Sequence, residues 1–109
     1  MNHIPEHKAM LDSLLLGMPG VKASKSWGYP SYKINGRIFA FVGGPGIAIK
    51  LPEARVKALI GDQPEFKPFQ PAEGTVWREW LSIDRERSED YAQDIDLLEE
   101  SALYAVERS

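Results

Sequence analysis

The dipeptide Asn35-Gly36 stands between two runs of β-forming residues, 31–34 and 37–42. Both residues tolerate the positive φ of a type I′ turn, so the two runs are expected to fold back as a hairpin closed by two residues. Ile34 then pairs with Arg37, Lys33 with Ile38, and Tyr32 with Phe39. Gly43-Gly44-Pro45-Gly46 turns the chain a second time, into residues 47–51. A four-residue connection there pairs Val42 with Ile47 and Phe39 with Lys50. Side chains alternate between the faces of a strand. One face therefore collects Lys33, Ile38, Ala40, Val42, Ile47, Ile49 and Leu51, a mainly aliphatic set suited to packing under helices. The other collects Tyr32, Ile34, Arg37, Phe39, Phe41, Ala48 and Lys50. Left open, that face offers rings for stacking and cations for phosphate groups. Covered, it is simply the second side of a core. A one-residue change in the glycine-rich connection would turn the third strand over.

The flanking sequence supplies the cover. Residues 3–16 place His7, Met10, Leu11, Leu14, Leu15 and Met18 at spacings of three and four, the stripe of an amphipathic helix. Pro5 suits its first turn, Asn2 or His3 its cap, and Gly17 and Pro19-Gly20 its end. Residues 21–26 read as an extended lead-in or short strand. In Trp27-Gly28-Tyr29-Pro30, Gly28 permits an unusual backbone and Pro30 keeps Tyr29 out of a helix, giving a shaped turn with two aromatic anchors. Pro52 opens a helix over residues 53–60, capped by Gly61. Residues 66–69 form a short strand and 76–83 a longer one. Trp77 and Trp80 differ by three positions, so they are expected on opposite faces. Ser88 is a candidate N-cap for the final helix, whose stripe is Tyr91, Ile95, Leu98, Ala102 and Ala105. The order predicts an α+β domain, an antiparallel sheet covered by N-terminal, middle and C-terminal helices.

At 109 residues the chain is expected to form one domain over positions 1–109. It has no cysteine, so thiol chemistry and Cys-based zinc sites are excluded. Its two histidines, His3 and His7, share one end of the chain, far from a Ser-His-acid arrangement. They could share a helix face, but no third ligand lies near, so neither a metal nor a cofactor is expected. Gly43-Gly44 lacks the GxxxxGK[ST] pattern of a phosphate loop. These absences predict a non-enzymatic protein. No apolar run is long enough to span a membrane, and the N-terminal residues do not resemble a signal peptide, so a cytoplasmic location is expected.

The net charge of −3 hides a division. Residues 1–60 hold eight Lys/Arg and three Asp/Glu (+5), and residues 61–109 hold five and thirteen (−8). The cations Lys22, Lys25, Lys33, Arg37, Lys50 and Lys57 surround the aromatic strands, making them the candidate nucleic-acid or anion contacts. Trp27, Tyr29, Tyr32, Phe39 and Phe41 are the candidate aromatic surface.

The run of Pro19-Gly20-Val21, Trp27-Gly28-Tyr29-Pro30, Lys33, Gly36, Phe39-Ala40, Lys50-Leu51-Pro52 and Arg55 resembles the MmcQ/YjbR family. Phe66, Trp77 to Trp80, Ser101 and Tyr104 continue the likeness, which extends from about Met10 to Val106. It implies a small fold similar to the CyaY/frataxin arrangement and to the N-terminal domain of TfoX-type regulators. It also implies a double-wing mode of DNA binding, in which the hairpins around Asn35-Gly36 and Gly43 to Gly46 serve as wings. Iron binding is not carried over, because the first helix holds only Glu6 and Asp12 as acids.

Two functional classes follow. One is nucleic-acid binding through the basic hairpins, with DNA the implied partner. The other is a non-enzymatic module for a small anionic ligand or a protein partner, using the aromatic and basic face or the tryptophans. A monomer or weak dimer is expected in either case.

Overall fold

The computed structural model describes residues 3–108. Its elements follow the chain as α1 (Pro5–Leu15), β1 (Val21–Ser26), β2 (Tyr29–Ile34), β3 (Arg37–Gly43) and β4 (Gly46–Lys50). Then come α2 (Glu53–Leu59), β5 (Phe66–Ala72), β6 (Thr75–Ile83), a 3₁₀ helix (Ser88–Asp94) and α3 (Ile95–Glu107). The strands make one antiparallel sheet in the order β1-β2-β3-β4-β6-β5. The fold is α+β, as the pattern of elements predicts, with the lead-in realised as β1 and a longer β5.

Three tight turns set the register. Asn35 (φ 51°) and Gly36 (φ 77°) close β2–β3 as the sequence requires. Trp27 (φ 55°) and Gly28 (φ 81°) close β1–β2 in the same manner. Between β3 and β4 the pairing of Val42 with Ile47 holds, and Gly43 pairs with Gly46 as well. The expected four-residue connection thus tightens to Gly44-Pro45, where Gly44 (φ 58°) fits the first position of a type II′ turn. Gly46 lies hard against β6, since a Cβ there would stand 2.4 Å from the Ile83 carbonyl oxygen.

One irregularity changes the faces. Lys33 pairs with Ile38, but Tyr32 pairs with Ala40, not with Phe39, so Phe39 is the extra residue of a bulge. Tyr32, Ile34 and Phe39 consequently join the helix-side core, and Lys33 and Ile38 pass to the opposite face. This overturns the expected placing of Tyr32 and Phe39 on an aromatic surface: they are 1% and 0% exposed. The physical reason is burial, because the bulge lets β3 drive Phe39 as well as Ala40 and Val42 under the helices. A second irregularity, in the β5–β6 pairing around Phe69, brings Trp77 and Trp80 to the same side, against the expectation from their spacing.

The helix-side core gathers Leu11 and Leu15 of α1, Val56 and Leu59 of α2, and Leu98, Ala102 and Ala105 of α3 over the sheet aliphatics. Ser101 docks α3 by donating its buried hydroxyl toward the carbonyls of Phe39 (3.0 Å) and Lys50 (2.6 Å). Arg85 is buried beside Asp94 in a two-pronged ion pair (2.7 and 2.8 Å) and also donates to Gln63 (3.0 Å). The Tyr91 hydroxyl donates to the Ile83 carbonyl (2.8 Å) and accepts from the Arg85 backbone N–H (3.1 Å). Ser88 does not cap a helix. It opens the 3₁₀ segment, and its hydroxyl lies 2.6 Å from Nδ1 of buried His7. Neither does His3 cap α1, whose N-cap is Ile4 without a side-chain bond; Asn2 lies outside the described residues. The two sheet edges are β1, carrying Lys22 and Lys25, and β5, carrying Pro68 and Pro71.

Candidate ligand-binding site on the aromatic face

The sheet face away from the core cluster carries a second cluster. Phe41, Ala48 and Trp80 are buried in it, and Tyr29, Ile38, Phe69 and Trp77 pack partly buried against them. Trp27 reaches this face from its turn. Its ring meets Phe41 (5.5 Å between centroids), Trp77 (5.3 Å) and Trp80 (6.4 Å), yet the residue is 51% exposed. A bulky side chain at positive φ is rare, and such backbone strain costs about 1–3 kcal/mol. Tyr29 stacks on Phe41 at 5.8 Å and lies over Gly43, where a Cβ would stand 2.9 Å from its ring. Gly43 is therefore the place where this strand must lack a side chain.

Two clefts adjoin Trp27 and Trp77. The first, about 490 Å³, is basic: Lys33, Arg37, Lys50 and Arg108 line it together with Trp80 and Tyr104. Lys33 and Lys50 come from β2 and β4, on either side of β3, and Arg108 arrives from the end of α3. Lys50 also lies over the Trp80 ring at 5.8 Å. One carboxylate serves this cleft. Glu79 is 3.8 Å from Lys50 and 4.0 Å from Arg108, and it accepts from the Tyr104 hydroxyl (3.2 Å), which in turn accepts from Arg108 (2.8 Å). Among the described residues, Lys33 and Arg37 have no ion-pair partner. The cleft thus holds two cations committed in part to Glu79 and two still available to an anion.

The second cleft, about 650 Å³, is aromatic. Tyr29, Phe41 and Phe69 line it, with Pro45, Pro68 and Pro71 around them. Its charged groups neutralise each other, Lys67 standing 3.4 Å from Asp84, which also accepts from the Ser82 hydroxyl (3.2 Å).

The remaining predicted cations divide. Lys22 pairs across from Lys33 and shares its face, exposed and outside the cleft lining. Lys25 pairs with Pro30, three positions further along and on the alternate side. Lys57 is held by Glu53 (3.2 Å) on α2. Of the predicted aromatics, Trp27, Tyr29 and Phe41 reach the site, while Tyr32 turns to the core and donates to Asp12 (2.6 Å). Partial burial raises the Asp12 carboxyl, but hydrogen bonds from Lys8 and Tyr32 outweigh it and hold the group below its ordinary range. Arg108, Glu79 and Phe69 escape sequence reasoning, and Tyr104 enters it only as part of a resemblance. The available signal is slight: Tyr104 and Arg108 are four apart at the end of one helix.

Among the described residues there is no group of three or more His, Cys, Asp or Glu arranged to hold a metal ion, and no helix is long and apolar enough to cross a membrane. The turns at Asn35-Gly36 and Gly44-Pro45 lie at opposite ends of β3, each closed by two residues.

A search of the curated proteins and one of the solved structures gave no match. The YjbR family model matches residues 16–102, which include every strand, α2 and most of α3. The chain belongs to the YjbR family.

Proposed function

We propose that this domain is a non-catalytic binding module for an anionic ligand that carries a flat ring. A nucleotide unit, free or within a single strand, is the simplest chemistry of that kind. The observation that carries the reading is the convergence of Lys33, Arg37, Lys50 and Arg108 on a cleft walled by Trp27, Trp77 and Trp80. Stacking on an aromatic side chain contributes about 1–3 kcal/mol per base, and a hydrogen bond to a charged group roughly 1.5–3 kcal/mol. One ring and one phosphate held in this way amount to weak but specific binding. The negative total charge opposes a long polyanion more than a short one. With a Debye length of about 8 Å at physiological salt, distant acids are screened and the local cations dominate.

A duplex gripped by two wings is the weaker reading, because the turns at either end of β3 point away from each other along the strand. A single strand exposes its bases for stacking and suits the cleft better. All three tryptophans border the basic cleft, so their intrinsic fluorescence reports on it directly. Adenosine monophosphate and a short single-stranded oligonucleotide, titrated at low salt, are expected to quench that emission. The double variant Lys33→Glu/Arg37→Glu is expected to lose at least tenfold in affinity while its melting temperature stays near that of the parent. Failure of both probes to bind at low salt would sink the reading.

A further inference from the structure

We infer that the aromatic cleft is a second subsite of the same ligand, so that the domain takes two flat rings joined by an anionic link, as in a dinucleotide. The inference rests on the binding reading above and extends it to the class of ligand. Trp27 and Trp77 line both clefts, which makes the two hollows neighbours across one pair of rings. Their chemistry differs in kind. The basic cleft has four cations against Glu79, and the aromatic cleft has a single lysine already paired with Asp84. A phosphate therefore belongs on the first side, and only an uncharged, flat, apolar group matches the walls of Tyr29, Phe41 and Phe69 on the second.

Trp27 points to the same two-ring ligand. A turn of this shape favours Asn, Asp or Gly at its first position, as at Asn35. The chain instead keeps a tryptophan there at positive φ, half exposed, with its ring laid between the two hollows. Core packing gives no account of a strained residue that leaves half its surface in water. A partition against which one ring stacks on each side does. The edge beside the aromatic cleft does not invite a β-strand as occupant, because β5 carries Pro68 and Pro71 in its pairing segment.

The test compares adenosine monophosphate with the dinucleotide of two adenosines carrying a 5′-phosphate, by calorimetry on the full chain. The dinucleotide is expected to bind at least tenfold more tightly. Phe69→Leu, which keeps apolar bulk and removes the flat face, is expected to weaken the dinucleotide several-fold more than the mononucleotide. Trp27→Asn, a residue the turn accommodates, is expected to abolish most of the dinucleotide's advantage. Equal affinity of the two probes overturns the inference and leaves the basic cleft standing. So does an equal loss for both probes in Phe69→Leu. If neither probe binds at all, the reading of the basic cleft falls and this one with it.

Discussion

Tyr91 shows how a single hydroxyl joins two elements. It ties the end of β6 to the 3₁₀ helix by donating to the Ile83 carbonyl and accepting from the Arg85 N–H. Burial first, with Asp84 and Asp94 adding to it, pushes its ionisation up to about 12 from 10.0, against the pull of the Arg85 contacts. A raised value means the folded state holds the proton more tightly than the unfolded chain does. The contribution is complete below about pH 10 and fades as pH climbs through about 12. Tyr91→Phe is expected to cost about 1–3 kcal/mol at neutral pH, since two buried backbone groups lose a partner. Urea midpoints recorded across the alkaline range should fall less steeply for the variant than for the parent. Identical slopes would show that Tyr91 does not control that limb.

At the scale of elements, α3 is fastened to the sheet through Ser101, whose hydroxyl faces two carbonyls on adjacent strands, Phe39 of β3 and Lys50 of β4. Ser101→Ala is expected to destabilise by about 1–3 kcal/mol, the cost of leaving buried acceptors unmet. It should also weaken ligand binding, because α3 is what brings Arg108 and Tyr104 to the basic cleft. Thermal melts and affinity measured together check both effects. This element also marks where the sequence stops being informative. The hairpin at Asn35-Gly36 and the pairing of Val42 with Ile47 are written locally, in turn residues, and so they can be read. The bulge at Phe39 is not, because Phe39-Ala40 is ordinary strand sequence and only the depth of the helix-side core decides that both residues turn inward. Trp77 and Trp80 sharing a face likewise follows from an irregularity, the register shift in the β5–β6 pairing around Phe69. Lys33, Arg37 and Lys50 are legible as candidates from the run of cations among the aromatic strands, although the regular register assigns Lys33 to the aliphatic face and only the bulge brings it round. Arg108 depends on a helix docking from the far end of the chain, and its spacing of four from Tyr104 is the slight local signal it leaves.

For the whole molecule, the division of charge matters more than its total. The acids of residues 61–109 are spent partly in pairs, Glu100 with Arg55, Asp94 with Arg85 and Asp84 with Lys67, and so compete less with the basic cleft than their number implies. Binding of a single strand should therefore weaken with salt only moderately. Four cations at roughly 0.7 per contacted phosphate give a log–log slope no steeper than about −3. A much steeper slope in fluorescence titrations would mean that phosphates are held well outside this cleft. Beyond charge, the boundary strands have their own consequence. A sheet can be regarded as a polymer that lengthens by adding strands, and here both growing ends are terminated, by lysines on β1 and by prolines on β5. Both rims thus resist strand addition, which leaves the broad side, where Trp27 stands half in water, as the surface without such a guard.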